Sequence, residues 1–166
     1  MRRWSMRLGA LILACAPYAT LDASTLLPAR DLAAESRQAA AASGPLIVLY
    51  SRADCPFCRT IEKNHLRGLR HDPRYGQRVV IREIGQDRDT ALRDFSGRST
   101  THARFTAANG IKRVPVVAFY GPQGQPLAEP IVGARLPDFY QGYLEAAIDQ
   151  SLLQLKSPQP PQTSPQ

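Results

Sequence analysis

The sequence predicts an α/β layer fold. Short apolar runs typical of buried strands alternate along the chain with longer segments typical of helices. A turn-rich segment before the last helix adds an antiparallel hairpin to this alternation. The 166 residues are 43% hydrophobic and 21% charged, which is ordinary for a globular protein, and their number favours one domain.

Four segments have the apolar patterns of strands, at 46–50, 78–84, 114–120 and 126–132. The first is a run of consecutive apolar residues, which is typical of a strand covered on both faces. The last contains Pro126 and Pro130, and proline is tolerated best at a sheet edge because it cannot donate a ladder hydrogen bond. We therefore expect the last segment to be an antiparallel edge strand.

Four segments favour helices, within 24–42, from the turn at 51–58 through Leu69, at 99–109 and at 136–155. The first is rich in alanine, and Pro28 is placed near its start. Ser99 or Thr100 is expected to cap the third, and Gly110 to end it. The last has a broad apolar face, formed by Leu136, Phe139, Tyr140, Tyr143, Leu144, Ala147, Ile148, Leu152 and Leu155.

Residues 1–23 have the pattern of a secretory signal peptide: a start with three arginines, a short apolar run at 8–16, and small residues beyond it. The apolar run is far shorter than the roughly 20 residues that span a bilayer. A buried N-terminal helix is disfavoured because the arginines crowd its start. Cleavage after Ala23 is one possibility for processing. In the other, the stretch 12–15 acts as a lipobox and Cys15 carries a lipid.

Cleavage after Ala23 changes the composition of the chain. The basic residues fall from 21 to 18 and the acidic residues from 14 to 13, so the formal charge falls from +7 to +5, too diffuse to indicate an anionic partner. Trp4, the only tryptophan, is also removed, so the mature protein is expected to lack tryptophan fluorescence. The predicted organisation is a signal peptide at 1–23, one domain at 24–155 and a disordered proline-rich tail at 156–166.

Cys55-Pro56-Phe57-Cys58 is the most specific motif in the sequence. A C-x-x-C between an apolar strand and a helix is typical of a thiol redox site. Cys55 is then at the helix N-terminus, where free N–H groups and the helix dipole stabilise a thiolate. That thiolate can attack a substrate disulfide, and Cys58, one turn on, can resolve the mixed disulfide.

Two other interpretations of the motif stay open. One is a structural disulfide, although so short a loop removes little chain entropy. The other is half of a metal site, although zinc sites generally need four ligands and the sequence has no second C-x-x-C. His65, His71 and His102 are scattered and lack the spacing of paired ligands. We therefore predict no metal and no cofactor.

Val114-Pro115 is the second feature with a chemical meaning. Proline is unwelcome in a central strand, yet Pro115 opens what otherwise has the pattern of one. A cis peptide bond or a strand start with a special role is indicated.

With these motifs, residues 30–154 resemble the thioredoxin superfamily, in particular its small secreted bacterial members. The resemblance implies a three-layer α/β/α sandwich with a central mixed sheet of four to five strands. It also implies that Cys55 is the nucleophile and Cys58 the resolving cysteine. Pro115 is then the cis-proline beside the disulfide, and the backbone of Val114 pairs with the bound substrate chain.

The chain departs from that family in the pair between its cysteines and in the length of one connection. Pro56-Phe57 is closer to glutaredoxins than to the Gly-Pro of thioredoxins, although no convincing glutathione site accompanies it. Residues 85–98 are polar and exceed the connection of a minimal thioredoxin, and a short helix is expected around 90–95. This stretch either shapes substrate choice or is only a surface insertion.

A third departure concerns proton transfer. Leu49 stands where thioredoxins place a buried aspartate that assists it. That base is therefore missing, unless Glu62 or Glu83 substitutes for it.

Charged residues near the motif are candidates for tuning the thiol. Asp54 is where thioredoxins carry tryptophan, and a carboxylate beside Cys55 raises the pKa of its thiol. Arg52, Arg59 and Arg67 would instead favour the thiolate or an acidic partner. For all four residues, a solvated surface position is the competing interpretation.

These observations predict a periplasmic thiol–disulfide oxidoreductase that reduces disulfides of secreted proteins and is reduced by a membrane electron donor. A monomer without a transmembrane span is expected. A nucleic-acid partner is not expected, because aromatic residues do not interleave with the basic residues. One alternative is a disulfide oxidase or isomerase of the same fold, since direction depends on reduction potential. Another is a copper chaperone with two thiolate ligands, which Met1 and Met6 disfavour because both lie in the predicted signal.

Overall fold

The computed structural model describes residues 26–134 and 137–157. The predicted signal peptide, with Cys15 and Trp4, lies outside the described residues. So do Leu136 and the predicted tail beyond Ser157.

The described residues form two kinds of regular structure around one sheet. The helices are α1 (Leu32–Ala41), α2 (Pro56–Ile61), α3 (Arg67–Leu69), α4 (His102–Ala108) and α5 (Tyr140–Lys156), with a π-helix at Glu62–Leu66 joining α2 to α3 and a 3₁₀ helix at Pro137–Phe139. The strands are β1 (Leu46–Ser51), β2 (Val80–Gly85), β3 (Ala91–Arg93), β4 (Ser99–Thr101), β5 (Val116–Tyr120) and β6 (Pro126–Val132).

The main sheet has four strands in the order β2-β1-β5-β6. Strand β1 runs parallel to β2 and antiparallel to β5, and β6 is an antiparallel edge strand. The predicted α/β fold with a mixed sheet is confirmed, and so is the edge position of the strand that contains Pro126 and Pro130.

Helices cover both faces of this sheet, which explains why every residue of β1 is buried. Alternate β1 side chains enter opposite cores because successive strand residues point to opposite faces. One core joins the sheet to the helices of residues 56–69 and to α5, and includes Ile47, Leu49, Ile61, Leu66 and Leu144. The other joins it to α1 and α4, and includes Val48, Tyr50, Leu32 and Phe105.

The helix expected around 90–95 is wrong. Strands β3 and β4 form a small antiparallel hairpin there instead. In β3 only Leu92 is buried between two exposed neighbours, the period-two pattern of a strand. The carboxylate of Asp94 holds the turn by accepting hydrogen bonds from Ser96 and Arg98.

The first helix begins at Leu32, later than expected within 24–42. Residues 26–31 precede it along the sheet, where isolated bridges join Pro28 to Glu83 of β2 and Asp31 to Arg93 of β3. Asp31 caps α1 by accepting a hydrogen bond from the N–H of Ala34 at 2.8 Å. We call residues 26–31 the N-terminal strap.

Two further expectations for helices need correction. Thr101, rather than Ser99 or Thr100, caps α4, because Ser99–Thr101 form a strand before the helix starts. Phe139 and Tyr143 do not belong to the buried face of the last helix and are 64% and 52% exposed. Among the described residues, none of the helices combines the length and apolar character needed to cross a membrane.

Candidate active site

The strand register places the two predicted motifs at the same end of the two central strands, β1 and β5. Tyr50, next to the end of β1, pairs with Val116 at the start of β5, and Ser51 pairs with Gly85 at the end of β2. The C-x-x-C that follows β1 and the Val114-Pro115 dipeptide that precedes β5 therefore lie side by side.

Cys55 and Cys58 form a disulfide at the N-terminus of α2. Cys55 is the N-cap residue, Pro56 occupies the first helical turn, and the N–H of Cys58 donates to Sγ of Cys55 at 3.1 Å. Proline is suited to this turn because its missing N–H would have no helical partner there. In the reduced protein the same N–H and the helix dipole favour a thiolate at Cys55.

The motif presents its middle residues, rather than its sulfurs, to solvent. Cys55 and Cys58 are nearly buried, whereas Pro56 is exposed and Phe57 is 63% exposed. A large exposed aromatic side chain beside a reactive disulfide is a candidate contact for another protein.

The Val114–Pro115 peptide bond is cis. The Pro115 ring is buried, and its carbonyl accepts a hydrogen bond from the N–H of Gly133 at 2.8 Å. Val114 is half-buried. Within residues 26–134 and 137–157, neither its N–H nor its C=O has a hydrogen-bond partner. This backbone edge next to the disulfide can therefore accept a partner chain.

Of the four charged residues considered near the motif, three are in ion pairs and Arg59 is bonded to a backbone carbonyl. Arg52 and Asp54 are exposed and form an ion pair between Nε and Oδ1. Arg59 donates to the carbonyl of Ala53 at 3.2 Å. Arg67 pairs with Glu62 at 3.0 Å. Arg52, Asp54 and Arg59 thus lie against the loop that enters the motif, whereas Arg67 does not.

The two acids considered for proton transfer are both buried and both bonded. Glu62 accepts hydrogen bonds from the N–H of Leu26 at 2.9 Å and from Arg67. Glu83, opposite Leu49 in the register, accepts from the Ser51 hydroxyl and pairs with Arg88 at 3.1 Å. Leu49 itself is fully buried among apolar side chains.

Sequence reasoning missed two residues that contact the loops of this site. The N–H of Gln86 donates to the Ser51 carbonyl at 2.7 Å, and its side-chain amide donates to the Ile111 carbonyl at 3.0 Å. Asp87 accepts from the N–H of Ala53 at 3.0 Å. Their position directly after a parallel strand was the available signal, since polar groups at the carboxyl ends of such strands often belong to sites.

The three histidines do not come together. His102 is fully buried: its Nδ1 accepts from the N–H of Gly85 at 3.0 Å, and its Nε2 donates to the Ala29 carbonyl at 2.8 Å. Burial lowers the pKa of His102, so the ring is neutral. His65 stacks on Tyr140, and His71 is exposed. In the part of the chain that the structure describes, no three His, Cys, Asp or Glu residues are grouped as metal ligands.

The profile of the thioredoxin-like domain family matches residues 32–148. The chain belongs to this family. The match includes the disulfide, the cis-proline and the whole main sheet, and residues 26–31 are the part of the observed fold that precedes it. A C-x-x-C disulfide in this fold supports the class of thiol–disulfide oxidoreductases.

Two solved structures are similar to this chain, and the first of them, with a TM-score above 0.5, agrees with this fold. A thioredoxin-fold protein from Helicobacter pylori is 11% identical to this thioredoxin-like chain, with a TM-score of 0.58, and the alignment covers 82% of this chain and 83% of the other. Thioredoxin O2 from Arabidopsis thaliana is 18% identical, with a TM-score of 0.48, over 76% of this chain and 94% of the other. A search of curated protein sequences finds no match.

Proposed function

We propose that this thioredoxin-like protein reduces disulfides of secreted proteins in an oxidising compartment outside the cytoplasm, most simply a bacterial periplasm. The observation that carries the proposal is the placement of Cys55 as the N-cap of α2, with the Cys58 N–H directed at its sulfur. A thiolate in this position is both stabilised and able to attack. The signal-like pattern of residues 1–23 supports the compartment.

The reaction uses the two cysteines in sequence. The Cys55 thiolate attacks one sulfur of the substrate disulfide, the substrate S–S bond breaks, and the released substrate thiolate takes a proton. The Cys58 thiolate then attacks the Cys55 sulfur of the mixed disulfide and releases the second substrate thiolate. The substrate gains two electrons and two protons, and the Cys55–Cys58 disulfide forms. A membrane dithiol donor returns both electrons and restores the thiols.

Val114 and Phe57 are the proposed substrate contacts. The backbone of Val114, which has no hydrogen-bond partner among the described residues, accepts the substrate chain as a short added strand, with Pro115 packed beneath it. The exposed ring of Phe57 packs against the same chain. A protein substrate fits this arrangement because it offers a backbone and side chains on both sides of its cysteine.

Insulin reduction driven by dithiothreitol tests the activity. We expect the purified protein to accelerate reduction and Cys55→Ser to leave only the uncatalysed rate, because the first nucleophile is lost. Equal rates for the wild type and Cys55→Ser would exclude the proposed enzyme.

Direction is tested by equilibrating the protein with glutathione redox buffers. A reductase is expected near the thioredoxin potential of about −270 mV, because its dithiol must be the stronger reductant. A potential near about −120 mV would instead make the protein an oxidant and reverse the proposed direction.

Substrates can be captured through Cys58→Ser. This variant forms the mixed disulfide at Cys55 but lacks the thiol that resolves it, so partners stay attached and mass spectrometry can identify them. Cys55→Ser/Cys58→Ser is the matched control, because it cannot form the mixed disulfide. Exported disulfide proteins are expected, and recovery of cytoplasmic proteins alone from intact cells would contradict the compartment.

A further inference from the structure

We propose that Gln86 and Asp87 are positioning residues that hold the loop before Cys55 and the loop before Pro115 at a fixed spacing, so that a protein disulfide meets both loops at once. This inference rests on the proposed function and assigns a role to the start of the 85–98 connection. It is argued from the hydrogen bonds that join these two residues and their segment to the loop before Cys55, the loop before Pro115, β2 and α4.

The loop before Cys55 is held from two sides. Asp87 accepts the N–H of Ala53 at 3.0 Å, and Arg59 donates to the Ala53 carbonyl at 3.2 Å. One residue of this loop therefore has both of its backbone polar groups fixed, two positions before the nucleophile. The Gln86 N–H adds a bond to the Ser51 carbonyl at 2.7 Å, where the loop leaves β1.

The loop before Pro115 is held by the same residue. The Gln86 side-chain amide donates to the Ile111 carbonyl at 3.0 Å, three residues before Val114. The Ile111 N–H in turn donates to the Thr106 carbonyl of α4 at 3.1 Å. Gln86 thus bonds one loop through its main chain and the other through its side chain.

The segment that carries Gln86 and Asp87 is itself fixed to the core. The Gly85 N–H donates to the buried His102 at 3.0 Å, and Arg88 pairs with buried Glu83 at 3.1 Å. The Arg88 carbonyl accepts the N–H of Ala103 at 3.0 Å, which ties the segment to α4. Loops bonded to so well-anchored a segment keep their separation, and a preformed separation is what a two-point contact needs.

The side chains act on geometry more than on stability. Asp87 is exposed and Gln86 half-exposed, so the loss of either side chain opens no cavity in the core. Their removal is therefore expected to leave a folded protein whose two loops move independently. A small disulfide needs only the nucleophile loop, whereas a protein disulfide needs both.

The Gln86 bond is tested by comparing two substrates. With Gln86→Ala, KM for insulin is expected to rise about threefold to tenfold, the range of one neutral hydrogen bond, with kcat nearly unchanged. Reduction of dithionitrobenzoate, a small disulfide, should keep its wild-type rate. Gln86→Glu keeps the side-chain length but removes the donor, and should match Gln86→Ala. Unchanged insulin kinetics, or an equal loss with both substrates, would overturn the proposal.

The Asp87 bond is tested by hydrogen exchange at the Ala53 amide. Asp87→Ala should accelerate this exchange about threefold to tenfold, while Asp87→Asn should restore protection because its amide oxygen can still accept. Asp89→Ala is the matched control, since the exposed Asp89 makes no hydrogen bond or ion pair within residues 26–134 and 137–157. Exchange that is unaffected by Asp87→Ala, or accelerated equally by Asp89→Ala, would exclude the role of Asp87.

The comparison of the two substrates and the hydrogen-exchange experiment distinguish a failure of this inference from a failure of the proposed function. If wild type and Cys55→Ser reduce insulin equally, the proposed function fails, and the exchange experiment alone decides whether Asp87 holds the loop. If wild type is active and the Gln86 variants treat both substrates as wild type does, the function stands and the positioning role fails.

Discussion

The charge beside Cys55 is set by a pair of residues. Asp54, expected to oppose the thiolate, and Arg52, expected to favour it, pair with each other at the surface. The two charges largely cancel at the sulfur, and solvent screens what remains. Each residue is therefore expected to change the reactivity of the Cys55 thiol only when its partner is removed.

Arg52→Gln should slow alkylation of reduced Cys55 by iodoacetamide at pH 7, because it leaves the Asp54 carboxylate uncompensated. Asp54→Asn should accelerate alkylation for the opposite reason. Both effects are expected to be about threefold or less, and to shrink at 1 M salt, because the pair is exposed. Rates that fail to move in opposite directions would show that neither charge reaches the sulfur.

His102 predicts a pH dependence of folding. Burial lowers its pKa below the ordinary 6.5, so below about pH 6.5 the unfolded chain binds a proton that the folded chain excludes. The free energy of unfolding should therefore rise with pH up to about 6.5 and fall as the pH drops below it. A protonated ring would also turn a donor toward the N–H of Gly85.

Urea unfolding between about pH 5 and 7.5 measures this dependence. Asp72, Asp94 and Glu145, whose pKa values are lowered, lose their stabilising charge only at more acidic pH and do not interfere. His71→Gln, at an exposed site, should keep the full dependence. A flat profile in the wild type would contradict it.

At the residue scale, the sequence predicts the residues of the redox motif but not the residues that hold the loops around it. Cys55, Cys58 and Pro115 stand in a local motif and at a strand start, so residue type and spacing are sufficient to find them. Gln86 and Asp87 bond to backbone groups 25 and 34 residues away. A backbone carbonyl or N–H has the same chemistry at every residue, so the position of Gln86 and Asp87 after a strand points to a site but does not identify the groups that they bond.

The β3–β4 hairpin is an element that depends on one side chain. Asp94 accepts three hydrogen bonds on Oδ1, from the Ser96 N–H, the Ser96 hydroxyl and the Arg98 N–H, and pairs with the Arg98 guanidinium at 3.0 Å. Burial opposes ionisation, but the bonds from Ser96 and Arg98 outweigh it and lower the pKa of Asp94 to about 2. The turn is therefore held by an ionised carboxylate.

Asp94→Ala should lower the free energy of unfolding at pH 7 by about 1–2 kcal/mol, because the donors of the turn lose their acceptor. Because the folded-state pKa is depressed, this stabilisation is present above the ordinary 3.8 and is lost as the pH falls toward 2. The difference between wild type and Asp94→Ala in urea unfolding should therefore shrink at acidic pH. Asp89→Ala, in the same connection, should cost under about 0.5 kcal/mol at either pH. A constant difference would mean that the charge does not hold the turn.

At the element scale, long apolar elements follow from the sequence and short polar ones do not. Strand β1 is buried on both faces, so apolar side chains are needed at successive positions, and the sequence has five consecutive apolar residues at 46–50. The β3 strand has three residues and one buried side chain, so its polar neighbours resemble a helix start as well as a strand. The π-helix Glu62–Leu66 was also not predicted. It brings Ile61 and Leu66 into the same core, and their spacing of five residues differs from the usual helical spacing of three or four.

The whole domain extends beyond the part that the family profile matches. The profile begins at residue 32, yet the N-terminal strap before it is bonded to β2, β3, Glu62 and His102. The α/β order was predictable because it repeats along the chain. The strap was not, because its pairing partners lie far away in sequence and its six residues show no apolar period.

Leu26 and its neighbour Leu27 test the strap. Leu26→Ala should destabilise the protein by about 2–3 kcal/mol, because its side chain is 2% exposed and packs in the core below the motif helix. Leu27→Ala should cost under about 0.5 kcal/mol, because Leu27 is 57% exposed. A chain that begins at Leu32 should lose at least as much as Leu26→Ala. Thermal or urea unfolding of the three variants measures this, and equal effects at positions 26 and 27 would show that the strap is not part of the core.

The strap also has a consequence for the order in which the protein is assembled. Its contacts with Glu62 and His102 span 36 and 73 residues of chain. Synthesis therefore completes the strap long before the surfaces that receive it exist, and closing such long loops is entropically costly until those surfaces have formed. The segment made early can therefore dock only after the chain that carries Glu62 and His102 has been synthesised and has folded.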